Sequence, residues 1–204
     1  MEKIKHTKNE LKRQKDDLKR FTRYLPTLIL KKQQLQLEII KVLNAIEALE
    51  EKTRAFQDRL YAWVSVFAEE AGLESLITVE RTELSTGNIA GRDIPVFKEV
   101  VFKEEKYDLM TTPIWVDYGI EALKEYIVLK TRRRIFEEQL ALIRQELRVT
   151  TQRVNLFEKI KIPQAVENIR KIRIFLGDMQ TAAVVTGKIA KRKIEKKEEV
   201  LVEA

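Results

Sequence analysis

The chain has 204 residues with no cysteine, six glycines and four prolines, so it excludes a disulfide framework and is poor in turn-forming residues. Charged residues make up 35% and hydrophobic residues 44%, which is typical of long helices with an apolar seam. The net charge of +7 suggests nucleic-acid binding, but basic residues are interleaved with acidic ones along most of the chain, as on the solvated face of a coiled coil.

The first predicted element is a long helix that ends near Gly72, where glycine suits a helix C-cap. Apolar residues recur every seven positions between residues 4 and 67, except at Lys32 and Thr53, and a companion seam runs from residue 21 to residue 63. Two such seams are the pattern of a coiled coil. Below residue 18 the companion positions are polar, so the first turns are expected to need another surface.

The second predicted element is a β-hairpin. Residues 76–84 and 94–103 are rich in Val, Ile, Thr and Phe, and they flank a turn-forming stretch at residues 86–93. Pro95 fits the edge or the beginning of its strand, because proline cannot donate to a ladder. An isolated hairpin is marginally stable in water, so this insert is expected to rest on the helix ends or on another protein of a complex.

The third predicted element is a second long helix that begins near Thr112 and Pro113, a hydroxyl cap followed by proline. Two heptad seams run from residue 122 to residue 157. After Pro163 the stripe resumes with its phase shifted by four residues, which indicates a stutter that locally unwinds a supercoil.

These elements predict a mainly α fold, a long antiparallel two-helix coiled coil with a short β-hairpin insert between the helices. The predicted segments are 1–72, an N-terminal coiled-coil helix; 73–112, the hairpin insert; and 113–204, a C-terminal coiled-coil helix with a basic tail. Both chain ends are then expected at one end of the coiled coil, with Met1 near residue 188.

The predicted register follows from placing Ala71 opposite residue 118, so that paired residue numbers add up to about 189. Leu49 is then expected to approach Leu140, and Phe67 the region of Ala122. The same rule puts Pro26 at the level of Pro163, where two prolines would concentrate a bend. In the alternative interpretation, Pro26 only divides the first helix in two.

The sequence contains few of the residue patterns on which enzyme catalysis depends. His6 is the single histidine, without cysteine or a second histidine to share a metal ion. Gly187 and Lys188 resemble part of a phosphate loop, but that loop needs a glycine at Ala182 and a hydroxyl residue at Ile189. We therefore predict a chain with no catalytic residues, no metal and no cofactor, which binds no ATP.

Residues 146–158 and 160–163 resemble the hallmark of the D subunit of V-type and A-type ATPases. The residues that we assign to this motif are Thr150, Thr151, Gln152, Arg153, Val154, Asn155 and Pro163. The hairpin stretch at residues 90–97, with Gly91, Ile94 and Pro95, is similar to the middle segment of the same family, and residues 11–32 to its first helix. Residues 177–187 depart from the family, which usually has an acidic and then arginine-rich helix there.

This resemblance implies a noncatalytic central-stalk subunit that carries torque between an ATP-hydrolysing or ATP-synthesising head and an ion-translocating membrane rotor. The implied partners are the catalytic and nucleotide-binding A and B subunits, the F subunit of the stalk and the ring-cap subunit of the C/d type. The expected location is cytoplasmic, peripheral on the inner face of the membrane, without membrane insertion or nucleic acid. A head-facing tip is expected at Lys188, Lys191, Arg192 and Lys193.

Two further functions fit parts of the pattern. A prefoldin-like chaperone also combines coiled-coil helices with hairpins, but its helix tips expose apolar residues, whereas the ends of this chain are rich in lysine. A nucleic-acid-binding coiled coil would use the basic stretches at residues 132–134 and 188–197. The gamma shaft of F-type enzymes has a related role, but its central domain is larger than residues 73–112 can build.

Overall fold

A computed structural model describes residues 4–61, 76–105, 107, 113 and 115–202, with side chains as far as residue 195. Along these residues run, in order, α1 (Lys8–Tyr61), β1 (Ile77–Ile89), β2 (Arg92–Glu104), α2 (Val116–Leu156), a π-helical turn (Phe157–Lys161) and α3 (Ile162–Val202). The predicted fold class, long helices around a β-hairpin, is confirmed. The ends predicted at Gly72 and Thr112 lie outside the described residues.

The start of α1 is fixed by a capping threonine. The backbone N–H of Glu10 donates to the hydroxyl of Thr7 at 3.2 Å, and the N–H of Leu11 donates to the carbonyl of Thr7 at 2.9 Å. A threonine followed three residues later by glutamate is the sequence signature of this cap.

The chain divides into two compact units. Unit 1 comprises Met1–Ile29 and Gln152–Ala204, and unit 2 comprises Leu30–Thr151. The two units are defined by contacts in space, whereas the segments predicted at 1–72, 73–112 and 113–204 are defined along the sequence. The division into those three segments therefore stays a prediction.

In unit 2, α1 pairs with α2 in antiparallel direction. Leu35 and Val42 of α1 are buried in one cluster with Leu140 and Ile143 of α2. Polar contacts flank this seam, because Lys31 forms an ion pair with Glu146 at 2.7 Å and Arg133 forms one with Glu50 at 3.0 Å. Further along, the rings of Phe56 and Tyr126 stack with their centroids 6.1 Å apart.

In unit 1, the first turns of α1 pack against α3 and the π turn. Phe21 stacks on Phe157 at 5.3 Å, and His6 stacks on Phe175 at 4.8 Å. Between these pairs, the side-chain amide of Asn168 donates to Gln14 at 3.2 Å. Apolar residues of α3 complete the buried face: Ala165, Ile169 and Ile172.

The predicted register was wrong by one heptad. The residue numbers of Phe56 and Tyr126 add up to 182, seven fewer than the predicted 189. Seams that repeat every seven residues look alike in all registers that differ by seven, so the sequence periodicity fits both values. Leu49 therefore does not face Leu140, which shares its buried cluster with Val42. The contact predicted for Phe67 lies outside the described residues.

The pairing in unit 1 separates the two prolines, because the residue numbers of Phe21 and Phe157 add up to 178, eleven fewer than the predicted 189. Phe21 lies against Phe157, so Pro26, five residues further along α1, lies near the level of Gln152 and not of Pro163. The bend predicted from two prolines at one level loses its basis. At the end of the pairing, His6 contacts Phe175 and not the region of residue 183 that the predicted sum of 189 requires. The position predicted for Met1 lies outside the described residues.

The π turn lies where the sequence predicts a stutter. The N–H of Ile162 bonds the carbonyl of Phe157, five residues back, just before Pro163, which has no N–H to donate. On either side, the buried positions Val154 and Ala165 are 11 residues apart, which is one heptad plus four residues. The predicted phase shift of four residues is therefore present in the burial pattern.

The hairpin forms a two-stranded antiparallel sheet in which Ile89 pairs with Arg92 and Ile77 with Glu104. Its strands are longer than predicted, and the turn is only Ala90 and Gly91. The base of the hairpin packs on the first turns of α2, where Ile77, Val116 and Ile120 form a buried cluster. The expectation that the insert rests on a helix end is confirmed.

Candidate functional site

The C-terminal part of α3 presents an exposed helix surface, here called the exposed tip, residues 177–195. Every residue of the exposed tip is exposed, and no described side chain covers it. With 3.6 residues per turn, most of its apolar side chains fall on one side, whereas Lys188, Lys191 and Arg192 fall on the other and Lys193 interrupts the apolar side. The apolar members of that side are Met179, Ala182, Ala183, Val185, Ile189, Ala190 and Ile194.

The apolar side of the exposed tip is the part that sequence reasoning missed. Isoleucine at positions 189 and 194 is about half exposed, as are Met179 and Val185. The periodicity predicts that these residues belong to the coiled-coil seam. It does not show that α1, which begins at Lys8, leaves them uncovered. The exposed tip therefore offers both an apolar and a basic side to a partner.

The family motif occupies the last turns of α2 and the start of α3. Thr150 and Val154 are buried and act as seam residues, whereas Gln152, Arg153 and Asn155 are exposed. Thr151 is half-buried, and Pro163 is exposed just beyond the π turn. The motif thus combines two core positions with polar groups that point to solvent.

The three hairpin residues singled out by the sequence have different roles. Gly91 has a φ of 81° in the turn, and the Asn88 side-chain oxygen accepts its N–H at 3.0 Å. Ile94 is buried in the α1–α2 cluster of unit 2. The carbonyl of Pro95 accepts a hydrogen bond from the side-chain amide of Gln139.

These contacts hold the tip of the hairpin against the side of the coiled coil in unit 2. Gln139 is buried in α2, and sequence reasoning missed it because it lies beside the seam residue Leu140. A glutamine on the buried side of a helix needs a specific partner, which is the signal that could have revealed it.

The arginine triplet at residues 132–134, which a nucleic-acid-binding coiled coil would use, is largely engaged within the chain. Arg132 lies over the ring of Phe97 at 4.8 Å. Arg133 forms ion pairs with Glu50 and Glu137, each at 3.0 Å. Two of the three guanidinium groups therefore stabilise unit 2, and the triplet is a weaker candidate for binding a partner than the exposed tip.

Several titratable groups of the described residues form surface ion pairs, among them Glu167 with Arg170 and Lys171. Hydrogen bonding to Arg170 holds the pKa of Glu167 below its ordinary value and, in turn, raises the pKa of the guanidinium. No group of three or more metal-ligating side chains occurs in the described part of the chain, and none of its helices is long and apolar enough to cross a membrane.

Residues 10–192 match the family model of the ATP synthase D subunit. This match covers the helices, the hairpin and most of the exposed tip. The chain belongs to the family of ATP synthase D subunits.

Full-length relatives agree with this assignment. The chain is 49% identical over 197 residues to the V-type ATP synthase D subunit of Borreliella burgdorferi, covering 97% of this chain and 98% of the relative. It is 36% identical to the V-type ATP synthase D subunit of Chlamydia abortus, covering 96% of each chain, and 37% identical to that of Chlamydia trachomatis serovar L2, covering 96% and 98%.

Membership of this family makes the chain one part of a V-type ATP synthase complex with other subunits. The match along the coiled coil and hairpin assigns it there and not to the prefoldin-like chaperones. The surfaces described above are consequently surfaces of one component of an assembly, and their exposure in the single chain is the state before assembly.

Proposed function

We propose that this D subunit is a noncatalytic central shaft, which transmits torque between the ATP-hydrolysing or ATP-synthesising head and the ion-translocating membrane rotor. The observation that carries the proposal is the family match over residues 10–192 of a chain whose helices pair in antiparallel direction in both units. Two paired helices resist twisting better than one, so such pairing suits a part that carries torque.

The surface of the coiled coil supports a rotating part. Charged residues and surface ion pairs, such as those of Arg20 with Asp17 and Lys41 with Glu38, lie along the outer faces of α1. Exposed ion pairs of this kind contribute little stability, about 0 to 1 kcal/mol each. They keep these positions of the surface hydrated, which limits apolar contact between a rotor and its surroundings there.

For assembly, we propose that the exposed tip enters the head formed by the A and B subunits, with Lys188, Lys191, Arg192 and Lys193 facing it. The F subunit of the stalk and the ring-cap subunit of the C/d type are proposed partners of the remaining length, on the cytoplasmic side of the membrane. The exposed polar residues of the family motif, Gln152, Arg153 and Asn155, together with the hairpin, are candidate contacts for them.

Rotation tests the shaft directly. The chain has no cysteine, so Glu99→Cys on the exposed side of β2 gives a unique attachment point on this chain for a bead in the assembled ATPase. With the head fixed to a surface, ATP is expected to drive stepwise rotation of the bead in one direction. A bead that stays still while the same complexes hydrolyse ATP contradicts the proposal.

The noncatalytic part of the proposal is tested on the isolated chain. Calorimetry with magnesium-ATP is expected to show no binding, because the sequence lacks a phosphate loop and Gly187 and Lys188 match it only in part. Micromolar binding at a defined stoichiometry contradicts a noncatalytic role and leaves the rotation test unaffected.

A further inference from the structure

Unit 1 contains a groove between α1 and α3 that is lined by none of the residues named above as candidate contacts. Ten side chains from the segments 15–23 of α1 and 166–174 of α3 line it, and we call it the basic groove. Its floor is apolar and consists of Leu18, Val166, Ile169 and Ile174, with the methyl group of Thr22 beside them. Val166 and Ile174 remain 51% and 55% exposed, although they face this concave surface.

The rim of the basic groove carries one sign of charge. Lys15, Lys19 and Arg23 follow one another at four-residue spacing on α1, and Arg170 and Arg173 lie opposite on α3. None of the described acidic side chains lines the groove. Arg170 is bound by Glu167 through two hydrogen bonds, of 2.9 and 3.0 Å. The other four cations form no ion pair with any residue that the structure describes.

We infer that the basic groove is the docking site of an acidic amphipathic helix that belongs to another protein of the complex. A groove between two paired helices suits a third helix, whose apolar side chains would pack between Leu18, Val166 and Ile174. Nine residues on each wall span about 13 Å, enough for two to three turns of such a helix. Carboxylates on its flanks would then meet the four cations that have no described partner.

Other anionic partners fit the basic groove less well. Nucleic acid binds through phosphates along a charged surface and gains little from a narrow aliphatic floor without aromatic side chains. A lipid surface is flat and would not reach the buried Ile169 at the bottom of a groove. The inference requires only that the chain is part of a multi-subunit complex, so it is independent of rotation.

Photo-cross-linking in the assembled ATPase identifies the occupant. A benzophenone amino acid in place of the exposed Thr22 is expected to link to a protein segment that has acidic residues at helical spacing around an apolar stripe. A link to lipid, to nucleic acid or to a segment without acidic residues overturns the inference, and so does the absence of any link.

Charge reversal tests the chemistry of recognition. Lys19→Glu with Arg173→Glu is expected to lower the cross-link yield about tenfold, and reversing the acids of the linked segment is expected to restore it. The matched control, Lys52→Glu with Arg54→Glu, makes the same change in net charge on exposed positions of α1 outside the basic groove and should leave the yield unchanged.

All four substituted residues are exposed, so both double variants are expected to fold, which circular dichroism checks. An equal loss of cross-linking in the two double variants indicates general electrostatic attraction and overturns a specific site. An unchanged yield in the Lys19 and Arg173 variant overturns it as well.

Discussion

The turn of the hairpin depends on the backbone freedom of two residues. Ala90 has a φ of 51° and Gly91 a φ of 81°, so both central residues adopt the left-handed conformation of a type I′ turn. Glycine takes this conformation without steric cost, whereas alanine pays about 1 to 2 kcal/mol. The Asn88 side chain offsets part of that cost, because it accepts the N–H of Gly91 and donates to Asp93 at 2.7 Å.

Replacing Gly91 by alanine is expected to destabilise the hairpin by about 1 to 2 kcal/mol, through backbone conformation alone. The space around it is open, since no atom lies within 4 Å of an added Cβ. Gly177→Ala is the matched control, because its surroundings are equally open but its conformation is helical, and it should stabilise α3 by about 0.5 to 1 kcal/mol. Amide hydrogen exchange in the hairpin and in α3 measures the two changes in stability. If both variants destabilise their element, or both stabilise it, the explanation is wrong.

Glu83 on β1 provides a pH-dependent contact. Hydrogen bonds from Lys98 and, to a smaller extent, from Arg81 hold the pKa of this carboxyl below its ordinary value. A lowered pKa in the folded chain means that the stabilisation is present above the pKa of an unfolded glutamate, about 4.3, and is lost as the pH falls through the folded value.

We expect Lys98→Ala to raise the pKa of Glu83 toward its ordinary value, and Arg81→Ala to raise it less. Carboxyl titration by NMR measures both shifts. The interpretation fails if neither variant moves the titration of Glu83, since the two cations would then have no effect on its charge.

Residue-scale prediction from the sequence succeeded where local chemistry decides the conformation. Gly91 and Pro95 were placed in a hairpin because glycine favours a turn and proline avoids the interior of a sheet. Gln139 was not identified, because its partner is the carbonyl of Pro95, 44 residues away. Such a contact depends on where the hairpin folds back, and the hairpin sequence does not specify this.

At the scale of elements, the helices were predictable but their register was not. Heptad seams require that apolar residues be covered, and any shift by seven covers them equally well. Specific side chains have to select one register, as Arg133 does with Glu50 and Asn168 with Gln14. The buried Asn168 penalises shifted registers, in which its side-chain amide would lose the hydrogen bond to Gln14.

The register can be tested with engineered cysteines. Val42→Cys with Leu140→Cys is expected to form a disulfide within one chain under mild oxidation, because both residues lie in one buried cluster. Leu49→Cys with Leu140→Cys, the pair favoured by the register that adds up to 189, should remain reduced. Gel mobility without reductant distinguishes the two, and cross-linking between chains by either pair points to a parallel dimer instead.

The phase shift near Pro163 shows what a sequence pattern does and does not specify. Counting apolar positions predicts that four extra residues separate the seams, and the buried Val154 and Ala165 confirm it. The counting does not indicate that the helix adjusts through a π turn. That conformation follows from the missing N–H of Pro163, which favours a wider turn just before it.

At the scale of the whole molecule, the sequence predicts which helices and strands form more reliably than which of their side chains are exposed. The basic residues of the exposed tip were identified from composition, but its apolar side was assigned to the coiled coil. The corrected register explains this error, because α1 begins at Lys8 and His6 already contacts Phe175. The helix beyond residue 177 therefore has no described partner in the chain, and an apolar helix side of this kind is typical of an interface with another protein.

Removing residues 188–204 tests whether the exposed tip enters the head. We expect the shortened chain to keep its fold and its hairpin contacts, because residues 188–195 are exposed and no other described element covers them. The assembled ATPase should hold the shortened shaft less firmly, and sustained ATP turnover should fall below about half of that with the full chain. Turnover over time and the retention of the chain on immobilised A and B subunits measure the two effects.

A full-length control separates charge from length in this experiment. Replacing Lys188, Lys191, Arg192 and Lys193 by glutamine removes the cations but keeps the helix and its apolar side. If the apolar side provides most of the contact, this variant should retain more turnover than the shortened chain, whereas equal losses assign the contact to the charges. A shortened chain that keeps normal ATP turnover but no longer holds the membrane rotor shows that the exposed tip points toward the membrane and reverses the proposed orientation.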